Sequence, residues 1–236
     1  MQLLSELVDS YRTLLEEVDN WFAGCSLAAG DEIACRRGCS SCCRGLFDIT
    51  LLDAFLLQYG LLQLAEPLRE QVLSKVSSRL QQLHVVQPDF QPPYLLNIYP
   101  ESDWDRLMPD ADETPCPLLD DQGQCLVYRH RPMTCRLHGI PLVDADGEIL
   151  FDEWCSENFT GIDPLLLKSL RAPFNDIFTQ EQLLFREFTK RLVGVPFNEL
   201  DTLIPTALLI DFNQFTLPES LWKPASSCPH ANRSTR

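Results

Sequence analysis

Residues 35–43 read CRRGCSSCC, so four of the chain's ten cysteines, Cys35, Cys39, Cys42 and Cys43, fall within nine residues. Thiols at this density demand a common use, and the fold has to be arranged around it. On a helix, at about 100° per residue, the four would share a sector of roughly 100° and converge on one face. Gly38 instead points to a turn, in which Cys39 and Cys42 form a metal knuckle. Both geometries gather thiolates. The adjacent pair Cys42–Cys43 is hard to satisfy with one ion, because neighbouring side chains diverge. One of the two then reaches a second metal or stays a spectator.

Working outward, Cys116, Cys125, Cys135 and Cys155 follow downstream. All eight read as metal ligands. Cys25 and Cys228 stand apart and read as small buried hydrophobes or surface thiols. A disulfide framework suits short secreted chains, and this one has 236 residues. Two windows around the thiols are free of acids. One holds Arg36, Arg37 and Arg44; the other holds Arg129, Arg131 and Arg136 with His130 and His138. Positive charge of this kind lowers a thiol's pKa and offsets the negative charge of a thiolate-rich site. His138, three residues past Cys135, reads as a supporting or structural histidine rather than a ligand.

The remaining composition sets the frame. The net charge is −15, from 19 basic and 34 acidic residues, which disfavours nucleic acid as a partner. The first residues, MQLLSELVDSYRTLLEEVDNW, lack the basic start of a signal peptide. No run of 18 apolar residues marks a membrane span. The expected location is cytoplasmic, where thiols stay reduced.

Helical periodicity covers residues 3–23 through Leu3, Leu7, Tyr11, Leu14, Leu15, Val18 and Phe22. This helix packs on the domain or, alternatively, meets a protein partner. A buried helix is expected from Asp48 or Thr50, capped by the acid and ended by Gly60. A third spans 66–84, with Pro67 at its start. Six prolines between 86 and 115 forbid long elements there, and the acidic run 101–121 reads as a solvated loop. The turn at 121–123 predicts a hairpin with Cys116 and Cys125 at its ends. Arg131-Pro132 starts a helical turn carrying Cys135. A second hairpin pairs 140–143 with 148–151 and delivers Cys155. Helices are then expected from Asp163, over Phe174–Leu192, and over Asn198–Phe212 with a kink at Pro205. The expected fold is α+β, mainly α: helices around a cysteine-rich metal site, with one or two small β-hairpins. It is one domain over 1–236, with a metal core at 35–155, a helical part at 163–212 and a flexible tail at 218–236.

The elements GCSSCC (38–43), CPLL (116–119) and CLVYRHRPMTCR (125–136) resemble the YkgJ-like cysteine-cluster proteins, a zinc- or iron-chelating family of the CxxCxxCC type. The resemblance spans about residues 35–155. It implies metal chelation by these cysteines and no particular reaction. Here Cys35 precedes Cys39 by four residues, where the family pattern has three. Thiolate ligands suit an iron–sulfur cluster or iron as well as zinc. The long intervals between Cys116, Cys125, Cys135 and Cys155 favour iron over zinc ribbons built from compact CxxC knuckles.

Two enzyme readings stand beside that of a metal-binding protein. Cys35, Cys39 and Cys42 have the spacing of a radical S-adenosylmethionine signature, but Ser41 replaces the usual aromatic residue and no βα barrel follows. S-adenosylmethionine-dependent protein lysine methylation, linked to some similar cysteine-cluster proteins, rests on analogy alone. A structural zinc module for protein interaction is the remaining alternative.

Overall fold

The computed structural model describes residues 2–36 and 38–222. The side chain of Leu3, Arg37 and the chain from Lys223, with Cys228, lie outside the described residues. Helix α1 runs from Gln2 to Ala29, beyond its expected end. It buries Leu7, Val8, Tyr11, Leu14, Leu15 and Val18 along one stripe. That stripe packs on α6 (Phe174–Val193), which buries Phe174, Ile177, Phe185 and Phe188. Gly194, at φ 85°, closes α6 in the left-handed conformation.

Helix α2 (Leu51–Leu62) lies at the centre and is apolar nearly all round. Leu51, Leu52, Leu56, Leu57 and Leu61 are all buried. Burying each such side chain contributes about 1.5–3 kcal/mol. The Thr50 hydroxyl caps the helix by accepting the Asp53 N–H at 3.1 Å, so the hydroxyl and not Asp48 starts it. Gly60 does not end α2. It gives His130 room to cross, since a Cβ there would stand 2.8 Å from that ring. Helix α3 (Glu66–Val86) starts with Pro67 in its first turn and buries Val72, Val76 and Leu83. The proline-rich excursion holds only short turns and α4 (Trp104–Leu107).

The expected helix over 198–212 is replaced by a strand and one short helix. Asp48–Thr50 forms β1 and Asp201–Leu203 forms β4. They pair antiparallel, with Asp48 opposite Leu203 and Thr50 opposite Asp201. Pro205 then sits in the first turn of α7 (Ile204–Ala207), where its missing N–H costs nothing, and kinks no longer helix. Strand pairing across 150 residues of chain leaves no local periodic signal. This ribbon pins the end of the cysteine loop: the Ile204 N–H donates to Phe47 O at 3.1 Å and Leu51 N–H to Leu200 O at 3.0 Å.

The second hairpin stands as expected, with β2 (Leu142–Val143) antiparallel to β3 (Ile149–Phe151). The Cys116–Cys125 segment follows a hairpin course with a single bridge, between Leu119 and Cys125. Asp120 Oδ1 accepts the N–H groups of Gln122 and Gln124 and holds the turn. Cys135 rides on α5 (Met133–Leu137). The tail expected from Pro218 begins with an ordered turn over Glu219–Leu221, preceded by a buried Leu217.

The protein is therefore mainly helical, with two small two-stranded antiparallel sheets. Buried side chains form a main core around α2 and a satellite core of Cys25, Ile33, Ile140, Phe159 and Leu170. Cys25 is the small buried hydrophobe expected of it. No described helix is long and apolar enough to cross a membrane.

Candidate metal centre

The loop from Cys35 to Cys43 is built from turns, the second of the two geometries. Cys39 N–H donates to Arg36 O at 2.9 Å and Cys43 N–H to Ser40 O at 3.0 Å. Gly38 adopts φ 86°, a conformation that favours glycine. The loop is then sewn to the segment before Cys116. Gly45 N–H donates to Thr114 O and Cys116 N–H to Cys43 O, each at 2.9 Å. Backbone pairing thus sets Cys43 beside Cys116, while the thiol of the preceding Cys42 stays in hydrogen-bonding contact with that of Cys43.

The first thiol group lies over the satellite core. Cys35 packs against that core and has Cys39, Cys42 and Cys155 as electrostatic neighbours. Asn158, 1% exposed, ties this group together. Its Oδ1 accepts the Ala34 N–H at 2.8 Å. Its Nδ2 donates to Gly139 O at 2.7 Å and faces Cys35 Sγ at 3.5 Å. Its own N–H donates to Cys155 O at 2.8 Å. One side chain therefore joins the first loop to the turn that carries Cys155. Gly139 adopts φ 102°, a conformation that L side chains rarely adopt, at the turn between them, although a Cβ there would make only ordinary contact, 3.6 Å from Cys35 Sγ.

The second thiol group lies on the main core, against which Cys116, Cys125 and Cys135 pack. Cys135 is influenced by Cys116 and Cys125, and Cys116 by Cys125. Helix α5 is anchored from below. The buried Asp53 carboxylate accepts the Met133 N–H at 3.1 Å and the Tyr11 hydroxyl at 2.7 Å. Burial raises the Asp53 pKa to about 6 against the opposing pull of those hydrogen bonds. The two groups meet at the doublet, where the Cys42 thiol hydrogen-bonds with Cys43.

Charge acts on the thiols less than the basic windows imply. Arg131 pulls the pKa values of Cys42, Cys125 and Cys135 down. The net shifts are nevertheless upward. Burial pushes Cys35, Cys125 and Cys135 up, and takes Cys116 to about 12. For Cys42 the hydrogen bond to Cys43 raises most, followed by burial. Several of these arginines are held by acids: Arg136 and Arg131 both grip Asp19 of α1, and Arg44 faces Glu113 at 3.7 Å. Arg131 also stacks over the Tyr128 ring, 3.9 Å from its centroid. His138 meets Phe47 edge-on with centroids 5.4 Å apart, and burial lowers its pKa, a structural role.

All nine described cysteines are free thiols. Among the described residues no three Cys, His, Asp or Glu side chains are drawn closely enough to enclose an ion as they stand. The donor set is still that of a soft-metal site: thiols from four separate segments, in two neighbouring groups. Asn158, Asp53 and Asp19 carry no motif in the sequence. Their signal is long-range, and only the fold brings them beside the cysteines.

A cysteine-rich chelating domain on a helical scaffold is the class that fold and site define. The chain belongs to the CxxCxxCC family, described as a "putative zinc- or iron-chelating domain", whose model matches residues 34–156, a little over half of it. No curated protein and no solved structure matches the chain.

Proposed function

We propose that the protein holds iron, as iron–sulfur clusters or as thiolate-bound ions, in two centres. Cys35, Cys39, Cys42 and Cys155 serve one. Cys43, Cys116, Cys125 and Cys135 serve the other. The observation that carries this reading is the position of the doublet between the two thiol groups: Cys42 is a neighbour of Cys35, while the Cys43 backbone pairs with Cys116. Four thiolates complete either an iron–sulfur cluster or a tetrahedral zinc. Iron is favoured because the ligands of each centre come from distant segments rather than from compact knuckles.

When bound, iron supplies a redox-active centre held by thiolate. The chain's residues do the rest. Each thiol gives up its proton on binding, and Arg131 offsets negative charge beside Cys42, Cys125 and Cys135. Asn158 keeps Cys35 and Cys155 in register. The test uses Cys42→Ser and Cys43→Ser, each purified without oxygen. Each variant is expected to lose about half of the iron and visible absorbance of the parent, and the double variant nearly all of it. Full iron in both single variants, or colourless zinc-loaded parent protein, overturns the reading.

A further inference from the structure

Beside the second thiol group lies a cleft of about 490 Å³ that none of the preceding roles uses. Cys116 forms part of its wall, and Arg44, Lys75, Arg79, Ser78 and Thr114 line it. In a chain of net charge −15, three cations line this one cleft. Their pairing differs. Arg79 is gripped by Asp112 and donates to Thr114 Oγ1 at 3.3 Å, so it is fixed in place. Arg44 faces Glu113 at 3.7 Å, with side chains 44% and 80% exposed, a contact that solvent screens. Lys75 donates to Leu119 O at 2.7 Å and makes no ion pair among the described residues. Asp120 is the acid on the cleft wall, and its Oδ1 is taken up by the N–H groups of Gln122 and Gln124. Lys75 is also near enough to Cys116 to lower that thiol's pKa against the larger effect of burial.

We infer that this cleft binds a small organic polycarboxylate beside the second metal centre. The inference rests on the two-centre reading for its link to metal, not for the binding itself. The volume falls within the range of small-molecule sites and exceeds the need of a single inorganic anion. Lys75 and Arg79, one turn apart on α3, and Arg44 from the cysteine loop, together with the hydroxyls of Ser78 and Thr114, match a ligand carrying several carboxylates. A metal carried as such a complex is held within reach of Cys116.

The experiment titrates the full chain, purified without oxygen, with metal-free citrate and separately with inorganic phosphate, by calorimetry. Iron content is measured on the same samples. Citrate is expected to bind, and more tightly than phosphate. Lys75→Ala is expected to weaken citrate about tenfold, the weight of one charge-assisted contact. Ser78→Glu removes no cation and adds an opposing charge on the exposed face of α3, and is expected to weaken it at least as much. Absence of citrate binding, equal affinity for phosphate, or indifference to both substitutions overturns the inference. An iron-loaded chain that ignores citrate contradicts the cleft alone. An iron-free chain that binds citrate through Lys75 contradicts the metal reading alone.

Discussion

Replacing Asn158 by alanine removes three side-chain interactions from a position that is 1% exposed. The Ala34 N–H loses its acceptor at 2.8 Å, and Cys35 Sγ loses a donor at 3.5 Å. Gly139 O loses a donor at 2.7 Å but keeps the Cys155 N–H at 3.3 Å. Ala34 is half-buried, so water can replace part of its loss. One net hydrogen bond is worth about 1 kcal/mol, and an orphaned buried group costs about 1–3 kcal/mol. With the small cavity left behind, a total of about 2–3 kcal/mol is expected. Asn158→Asp keeps the acceptor for Ala34 but turns a carboxylate toward Gly139 O and Cys35 Sγ. It is expected to retain less metal at the first centre than the alanine variant, because a negative charge beside a thiolate disfavours the ligating form. Urea unfolding of metal-stripped protein and metal content of loaded protein read the two effects separately. A change below about 0.5 kcal/mol in stability, together with full metal in both variants, would refute the role given to Asn158.

Three further outcomes follow from the same geometry. Asp53 has its pKa raised from 3.8 to about 6, so between those values the folded chain holds a proton the unfolded chain has lost. Stability should fall as pH rises from about 4 to 6, and Asp53→Asn, which still accepts from Tyr11 and Met133, should flatten that stretch of the unfolding profile. In the metal-free protein, Cys25 and Cys116 titrate near 12 against an ordinary 9.0. Below pH 9 both states keep these protons; above it only the folded state does, so stability should decline between about pH 9 and 12, measurable by denaturant titration at each pH. Gly60→Ala would gain about 1 kcal/mol of helix propensity, yet its Cβ would meet His130 Cβ and Cγ at 2.8 Å. Overpacking at about 1–3 kcal/mol wins, so the melting temperature should drop; a rise would place His130 elsewhere.

How far the chain could be read in advance depended on the range of each interaction. The α1 stripe, α3, α6 and the β2–β3 hairpin were legible because periodicity and turn residues are local. The cysteine-cluster family was legible because thiols at the density of residues 35–43 have few uses. The strand Asp201–Leu203 was not, since its partner Asp48–Thr50 lies far off in sequence and all three of its residues are buried, which hides any alternation. The doublet announced a conflict in the sequence, but the pairing of Cys43 with Cys116 that bears on it is a tertiary backbone hydrogen bond. The basic windows were overread: the arginines are there, but burial dominates the thiols, and Asp19 on α1 absorbs Arg131 and Arg136.

The central claim is that these thiols hold iron in two centres. It is tested most directly by elemental iron, zinc and acid-labile sulfide per chain, with a visible spectrum, on full-length protein purified without oxygen. Iron at two centres per chain is expected, with sulfide and a broad band at roughly 400 nm if the iron is in clusters. Zinc in place of iron, no bound metal, or thiols paired as disulfides would contradict it.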